Sequence, residues 1–357
     1  MLEEWVPVGT KQGGTTEATL SPLGGRGLCF SGAKGIYVSW TVQRHETEVA
    51  RVKGNYRGSC RGARVRKHDA KTDPLGGRCL GFIGAGAMAE ALVGGLISAR
   101  VLPADRILVT NRSDCARLHG LAGRWGVHVT YGKAELARRC QVLILATKPV
   151  DIPGVLRELE GLVGPGHLLV SVAAGIPCAL MEERFPGIPV VRAMPNTSCR
   201  VKESATAVAL GCWATAEHEA LAHVIFGAVG QVVTVPEGCL NAVTGLSGSG
   251  PAYVYLLMEA LAEAGTKAGL DPQVSRFLTW QTVLGAARMV QETGEDPASL
   301  RRKVTSPNGT TMAALQALQA MGFDAALHEA VRRATERSQE LGKEIMSQRT
   351  ELAVSVE

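Results

Sequence analysis

The sequence predicts an α/β protein in which a parallel sheet, covered on both faces, is followed by an all-helical unit. Three observations carry this. Short, continuously apolar runs alternate with helix-like stretches between residues 79 and 236, the pattern of strands buried on both sides. Beyond Pro236 apolar residues recur only at helical spacing. The composition, 46% hydrophobic and 20% charged with 42 glycines in 357 residues, is that of an Ala/Leu/Val/Gly-built core of about two domains.

The elements follow in order. Residues 1–76 carry scattered glycine pairs and a basic stretch from Arg57 to Lys71 but no sustained period, so no domain is expected there. A disordered basic tail, an organelle-targeting peptide and upstream sequence read from a misplaced start codon compete for this leader; Glu3, Glu4 and Glu17 weigh against targeting. Residues 77–236 form the sheet domain, with strands expected at Cys79 to Ile83, Ile107 to Thr110, Val142 to Ala146, His167 to Val172, Pro189 to Met194, Ala205 to Leu210 and Gln231 to Val235. Residues 237–350 form the helical domain, with helices expected over Tyr253 to Leu270, Val274 to Gln291, Thr311 to Ala320 and Asp324 to Met346, and 351–357 form a tail. So much Ala and Leu with no sheet to lie on is expected to bury itself against a second copy, as a dimer.

Charge and composition exclude several partners. The net charge of +5 arises in the leader, where residues 1–78 hold 13 basic against 7 acidic side chains, and the body is nearly neutral. Aromatics at 4% leave little for stacking on bases, so nucleic acid is not an expected partner. No apolar run reaches the length of a membrane span, and nine cysteines without a C-x-x-C pair read as reduced, mostly buried thiols in a cytoplasmic protein.

Four motifs carry chemistry. Gly84-x-Gly86-x-x-Ala89 lies between a buried strand and a helix, where a Rossmann-type dinucleotide-binding domain needs it. There Gly84 makes the tight turn, Gly86 admits a pyrophosphate and Ala89 keeps helix and strand close; a plain glycine turn is the alternative. At the end of the second strand an acid would select NAD, but the chain reads Asn111-Arg112-Ser113, which suits a 2′-phosphate and so NADP, with NAD possible as well; a solvated loop charge is the other reading of Arg112. Ala146-Thr147-Lys148-Pro149 sits at a strand's C-terminal edge, where Lys148 could reach a phosphate or carboxylate, or Pro149 could simply start a helix. Ser306-Pro307-Asn308-Gly309-Thr310-Thr311 precedes a helix with more hydroxyls, counting Thr305, than one cap uses. Its unpaired backbone N–H groups make a carboxylate-sized anion site. Gly245 to Tyr253, a small-residue approach to a long helix, fits close packing and ligand binding equally.

These motifs, together with Ser171-Val172-Ala173-Ala174-Gly175 and Met194-Pro195-Asn196-Thr197, resemble those of pyrroline-5-carboxylate reductase in the same order, from about Arg78 to Leu341. Asn308 stands where that family more often has Gly, and because Asn tolerates a left-handed backbone the loop shape is expected to persist. The resemblance implies reduction of 1-pyrroline-5-carboxylate to L-proline by hydride from NAD(P)H, the last step of proline biosynthesis. It implies Thr311 as the residue hydrogen-bonded to the ring nitrogen, and Ser306, Asn308, Gly309 and Thr310 around the carboxylate. It extends the cofactor set to Ala87, Met88, Ala173 and Asn196 and implies a dimer that assembles as a ring of five dimers, with no metal. A hydroxyacid dehydrogenase of the same plan would need a basic lysine, and the first long helix offers only Lys267; a non-catalytic NADP-binding module is the third reading.

Overall fold

A computed structural model describes residues 73–112 and 114–354, the segment 348–354 by backbone alone. The leader up to residue 72 and the tail's last three residues lie outside the described residues, as does Ser113. The chain alternates β1 (Leu80–Ile83), α1 (Ala87–Ser98), β2 (Ile107–Thr110), α2 (Cys115–Trp125), β3 (His128–Thr130), α3 (Lys133–Arg139), β4 (Val142–Leu145), α4 (Ile152–Glu158), β5 (Leu168–Ser171), α5 (Cys178–Arg184), β6 (Val190–Met194), β7 (Ser204–Leu210), α6 (Ala216–Gly227) and β8 (Gly230–Thr234). One eight-stranded sheet results, in the order β3-β2-β1-β4-β5-β6-β7-β8.

Strands β1 to β6 run parallel, as their unbroken apolar sequences predict. Strand β7 is antiparallel to β6 instead, because the connection through the short turn Thr197–Val201 is too brief for a crossover helix. Alternate residues face alternate layers. Leu80, Phe82, Val109 and Ile144 pack with Leu92, Leu118 and Phe226 on one side. Ile83, Leu143 and Leu145 pack with Leu136, Ile152 and Met181 on the other.

Order begins earlier than the sequence indicates. Leu75 is fully buried in the first of these layers, and the Asp73 carboxylate accepts from Leu75 N–H at 3.1 Å and pairs with Arg106 at 2.7 Å. A lone apolar residue among glycines has no period to announce it, so among the described residues Asp73 to Arg78 already belong to the folded part. The cysteines also depart from expectation: of the seven described, Cys140, Cys178 and Cys199 are buried, Cys115, Cys212 and Cys239 are exposed, and none forms a disulfide.

The helical part comprises α7 (Leu240–Val243), a π-helical turn (Thr244–Gly248), α8 (Gly250–Lys267), α9 (Pro272–Thr293), α10 (Pro297–Lys303), α11 (Thr310–Ala320) and α12 (Phe323–Val354). Helix α12 continues into the segment read as a tail and returns to the sheet. Its Ile345 joins the core beside Leu180 and Met181, and its Gly342 lies so close to the Gly175 carbonyl that an added Cβ would stand 2.5 Å from that oxygen. At Gly245 an added Cβ would meet the Val331 carbonyl at 2.7 Å, so this glycine serves close packing between the π-turn and α12. Helix α8 buries no residue and α9 buries only Ser275, leaving Tyr255, Leu256, Phe277, Trp280 and Met289 exposed. This broad apolar surface is what the sequence composition foreshadowed.

Candidate active site

The sheet reverses strand order at β1, which lies between β2 and β4, and in open α/β sheets ligands bind at the carboxyl ends of strands flanking such a point. The register sets Ile83 opposite both Thr110 and Leu145, so Gly84, Asn111 and Ala146 leave the sheet side by side. Gly84 has φ +110°, and a Cβ on it would stand 2.6 Å from the Ala146 carbonyl oxygen; only glycine can make this turn. Gly86 caps α1 with no side-chain hydrogen bond, and an added Cβ there would meet nothing nearer than the Ala146 carbonyl oxygen at 3.9 Å. The first-turn amides of α1 therefore face open space, a cradle for a pyrophosphate. Ala87 is exposed at this start, Met88 is half-buried and Ala89 fully buried against the sheet.

Beside the cradle a cleft of 300 Å³ is lined by Gly84, Asn111, Arg112, Tyr131, Thr147 and Asp151, among others. Asn111 Oδ1 accepts from Arg112 N–H at 3.0 Å and fixes the loop. The Arg112 guanidinium is exposed, 3.8 Å from Asp151. The Thr147 hydroxyl oxygen is buried with no hydrogen-bond partner, an orphan that a bound polar group would satisfy. Lys148 is exposed, and Pro149 opens the one-turn helix that leads into α4. These features fit a nicotinamide dinucleotide.

Two members of the expected cofactor set serve other contacts. Ala173 is buried, its N–H donating to Ser171 Oγ at 3.3 Å. Asn196 accepts from Ser198 N–H at 3.1 Å through Oδ1 and donates from Nδ2 to the Ser247 carbonyl at 3.0 Å, so its amide bridges sheet and π-turn. Beneath α1 the Cys199 thiol donates to Met88 Sδ at 3.7 Å, and burial pushes it above its usual pKa.

The hydroxyl-rich segment lies on the helical part. Gly309 N–H donates to the Ser306 carbonyl at 3.1 Å, Asn308 takes the left-handed φ of +57° that its substitution for Gly anticipates, and Gly309 caps α11 with no side-chain bond. The N–H groups of Thr310, Thr311 and Met312 are thus left for another acceptor, and Ser306 Oγ lies over the same turn, 2.3 Å from where a Gly309 Cβ would be. Among the described residues no hydrogen bond joins 306–311 to the cleft at the sheet. Lys267, the base a hydroxyacid dehydrogenase would need, is exposed at the far end of α8 and paired with Glu263 at 2.6 Å.

Sequence reasoning missed Tyr131, Lys133, Asp151 and Glu158 in the cleft. Tyr131 and Lys133 follow a strand, β3, too short to announce itself, and Asp151 and Glu158 come from the stretch after β4. Among the described residues no group of His, Cys, Asp or Glu converges as a metal site, and no helix is long and apolar enough to cross a membrane.

Fold and crevice together define an NAD(P)-dependent oxidoreductase with a Rossmann-type sheet. Residues 237–341 match the family described as pyrroline-5-carboxylate reductase dimerisation and 79–175 that described as NADP oxidoreductase coenzyme F420-dependent, and the chain is 44% identical over 265 residues to pyrroline-5-carboxylate reductase 1 of Bacillus subtilis, covering 74% of this chain and 89% of that one. The chain belongs to the pyrroline-5-carboxylate reductase family, whose reaction yields proline. Similarity extends to the Arabidopsis thaliana enzyme, 42% identical over 74% of this chain and 95% of that one. Among solved structures, the Coxiella burnetii reductase covers 74% of this chain and 98% of its own at 39% identity and TM-score 0.70. The Plasmodium falciparum reductase with NADP bound covers the same shares at 29% identity and TM-score 0.67.

Proposed function

We propose that the chain is a cytoplasmic, dimer-based reductase, five dimers to a ring, in which the hydroxyl-rich start of α11 holds 1-pyrroline-5-carboxylate and the sheet crevice holds NADPH. The observation that carries the substrate side is the uncapped N-terminus of α11. Backbone N–H groups of Thr310 and Thr311 and the Ser306 hydroxyl offer donors to a carboxylate, with Asn308 and Gly309 shaping the loop. Thr311, on the helix's first turn, is the donor to the ring nitrogen. A C=N carbon accepts hydride more readily as its nitrogen gains positive charge, so a hydroxyl suffices where the substrate arrives as its iminium.

On the cofactor side Gly84, Gly86, Ala87, Met88 and Ala89 form the pyrophosphate cradle. Asn111, Arg112 and Ser113 meet the ribose 2′-phosphate, Ala146 to Pro149 border the ribose, and Asn196 and Ala173 back the nicotinamide end. The bound dinucleotide supplies the hydride from C4 of its reduced ring. That residues 306–311 neither line the crevice nor hydrogen-bond to it among the described residues, with the exposed apolar faces of α8 and α9, supports a site completed between two copies.

The test is steady-state oxidation of NADPH and NADH by the cyclic imine, with wild type and Ser306→Ala compared at varied imine. Turnover with wild type and a KM for the imine raised several-fold in Ser306→Ala are expected. Binding of NADPH without oxidation would instead leave a non-catalytic NADP module.

A further inference from the structure

The dinucleotide cleft carries more charge than a 2′-phosphate site needs, and of both signs. Arg112 faces Asp151 at 3.8 Å, and Lys133, whose side chain is only 14% exposed, is paired with Glu158. All four line the same cleft, at the ends of β2 and β3 where Asn111 and Tyr131 open it. Two cations and two carboxylates leave it electrically neutral. A phosphate drawn toward Arg112 meets the Asp151 carboxylate at nearly the same range, and Lys133 has its charge spent on Glu158. A free 2′-hydroxyl suffers no such repulsion and finds carboxylate acceptors at hand.

We propose that Asp151 is a specificity-determining residue of the dinucleotide site: with Glu158 it balances Arg112 and Lys133 and so weakens selection of a 2′-phosphate over a 2′-hydroxyl. The inference rests on the reading that this cleft receives the adenosine ribose. Asp151 sits on the one-turn helix Pro149–Asp151 directly after Lys148, and its N–H donates back to the Lys148 carbonyl at 3.0 Å. Its backbone is therefore held at the rim by that turn, which places the side chain beside Arg112. Opposite charges one contact apart at an exposed site act through water, so the effect is modest and salt-sensitive.

The experiment titrates the full chain calorimetrically with adenosine 2′,5′-bisphosphate and with 5′-AMP, which differ only in the 2′-phosphate. Wild type is compared with Asp151→Asn, Glu158→Gln and Arg112→Ala. Asp151→Asn is expected to tighten the bisphosphate by roughly three- to tenfold and to leave 5′-AMP unchanged, the gain shrinking as salt rises. Glu158→Gln is expected to act in the same direction by freeing Lys133. Arg112→Ala weakens the bisphosphate alone. If Arg112→Ala does so while Asp151→Asn changes neither ligand or both alike, the 2′-phosphate reading stands and the proposal is overturned. If Arg112→Ala leaves both ligands unchanged, the reading of the cleft falls and the proposal with it.

Discussion

Asn196 Nδ2 donates to the Ser247 carbonyl at 3.0 Å, joining the loop after β6 to the turn that starts the helical part. The same side chain caps the turn Thr197–Val201 through Oδ1, and the residue is only 8% exposed. Its amide is thereby a clamp between the sheet domain and the helical part. Asn196→Ala strands both partners and is expected to lower stability by about 2–3 kcal/mol, read as a reduced urea midpoint. Asn196→Asp keeps the cap but sets a carboxylate against a carbonyl, so it is expected to lose at least the bridge. Were Asn196 purely a cofactor ligand, dinucleotide affinity would fall with the urea midpoint unmoved.

Leu75 yields a second expectation. Its side chain is fully buried in the layer under α1 and α2, while the Asp73 carboxylate that supports it is held below the usual range, chiefly by the Arg106 hydrogen bond. A chain begun at Asp73 is expected to fold as the full chain does. A chain begun at Arg78 loses this anchor and about 2 kcal/mol or more of stability. Leu75→Ala in the full chain is expected to reproduce most of that loss. Equal urea midpoints for the two truncations would show that the anchor contributes nothing.

What the sequence revealed and what it concealed have physical causes. Runs such as Val142-Leu143-Ile144-Leu145 are legible because burial on both faces demands apolar residues without interruption. Strand β3 escaped because three residues beginning with exposed His128 carry no such run. Helix α10, ending in Arg301-Arg302-Lys303, has no apolar stripe to read because it buries no residue. The glycine cradle was legible since its constraint is local, a backbone turn that only Gly84 can make. The counter-charges Asp151 and Glu158 were not, since their relation to Arg112 and Lys133 exists only once the strand order β3-β2-β1-β4 sets the segments after β2, β3 and β4 along one edge of the sheet. Ser306 to Thr311 showed as a motif, but that it does not line the crevice within one chain is a property of the fold alone.

The buried thiols make stability fall in alkali. Burial pushes the Cys140 thiol from 9.0 up to about 12, with the neighbouring Cys79 adding to the rise. In the unfolded chain the same thiol ionises from about pH 9, so there the native state holds the extra proton and stability declines as pH rises. The loss runs from about pH 9 to about pH 12, at a limiting slope of about 1.4 kcal/mol per pH unit. Cys140→Ala is expected to flatten this limb of the urea midpoint against pH while leaving the neutral range lower by a small cavity cost. An unchanged alkaline limb would show that Cys140 is not its source.

Thr311 is where the proposed chemistry is most exposed to test. It is the second residue of α11, half-buried, and among the described residues its hydroxyl makes no hydrogen bond, while Gly309 rather than Thr311 caps the helix. A structural role and a catalytic one therefore predict opposite patterns. Replacing Thr by Ala on a helix's first turn costs no cap and favours the helix by a few tenths of a kcal/mol, so the urea midpoint of Thr311→Ala is expected to hold or rise slightly. If the hydroxyl donates to the imine nitrogen as the ring receives hydride, the same variant loses a bond that strengthens in the transition state. That is about 1–3 kcal/mol, or about 5- to 150-fold in turnover. Thr311→Ser keeps the donor and is expected to retain most activity. Turnover and midpoint measured on both variants separate the cases, since a slower yet equally stable Thr311→Ala with an active Thr311→Ser can come only from the hydroxyl's contact with substrate. Wild-type turnover in Thr311→Ala would remove Thr311 from the mechanism and make Ser306 the hydroxyl to test next.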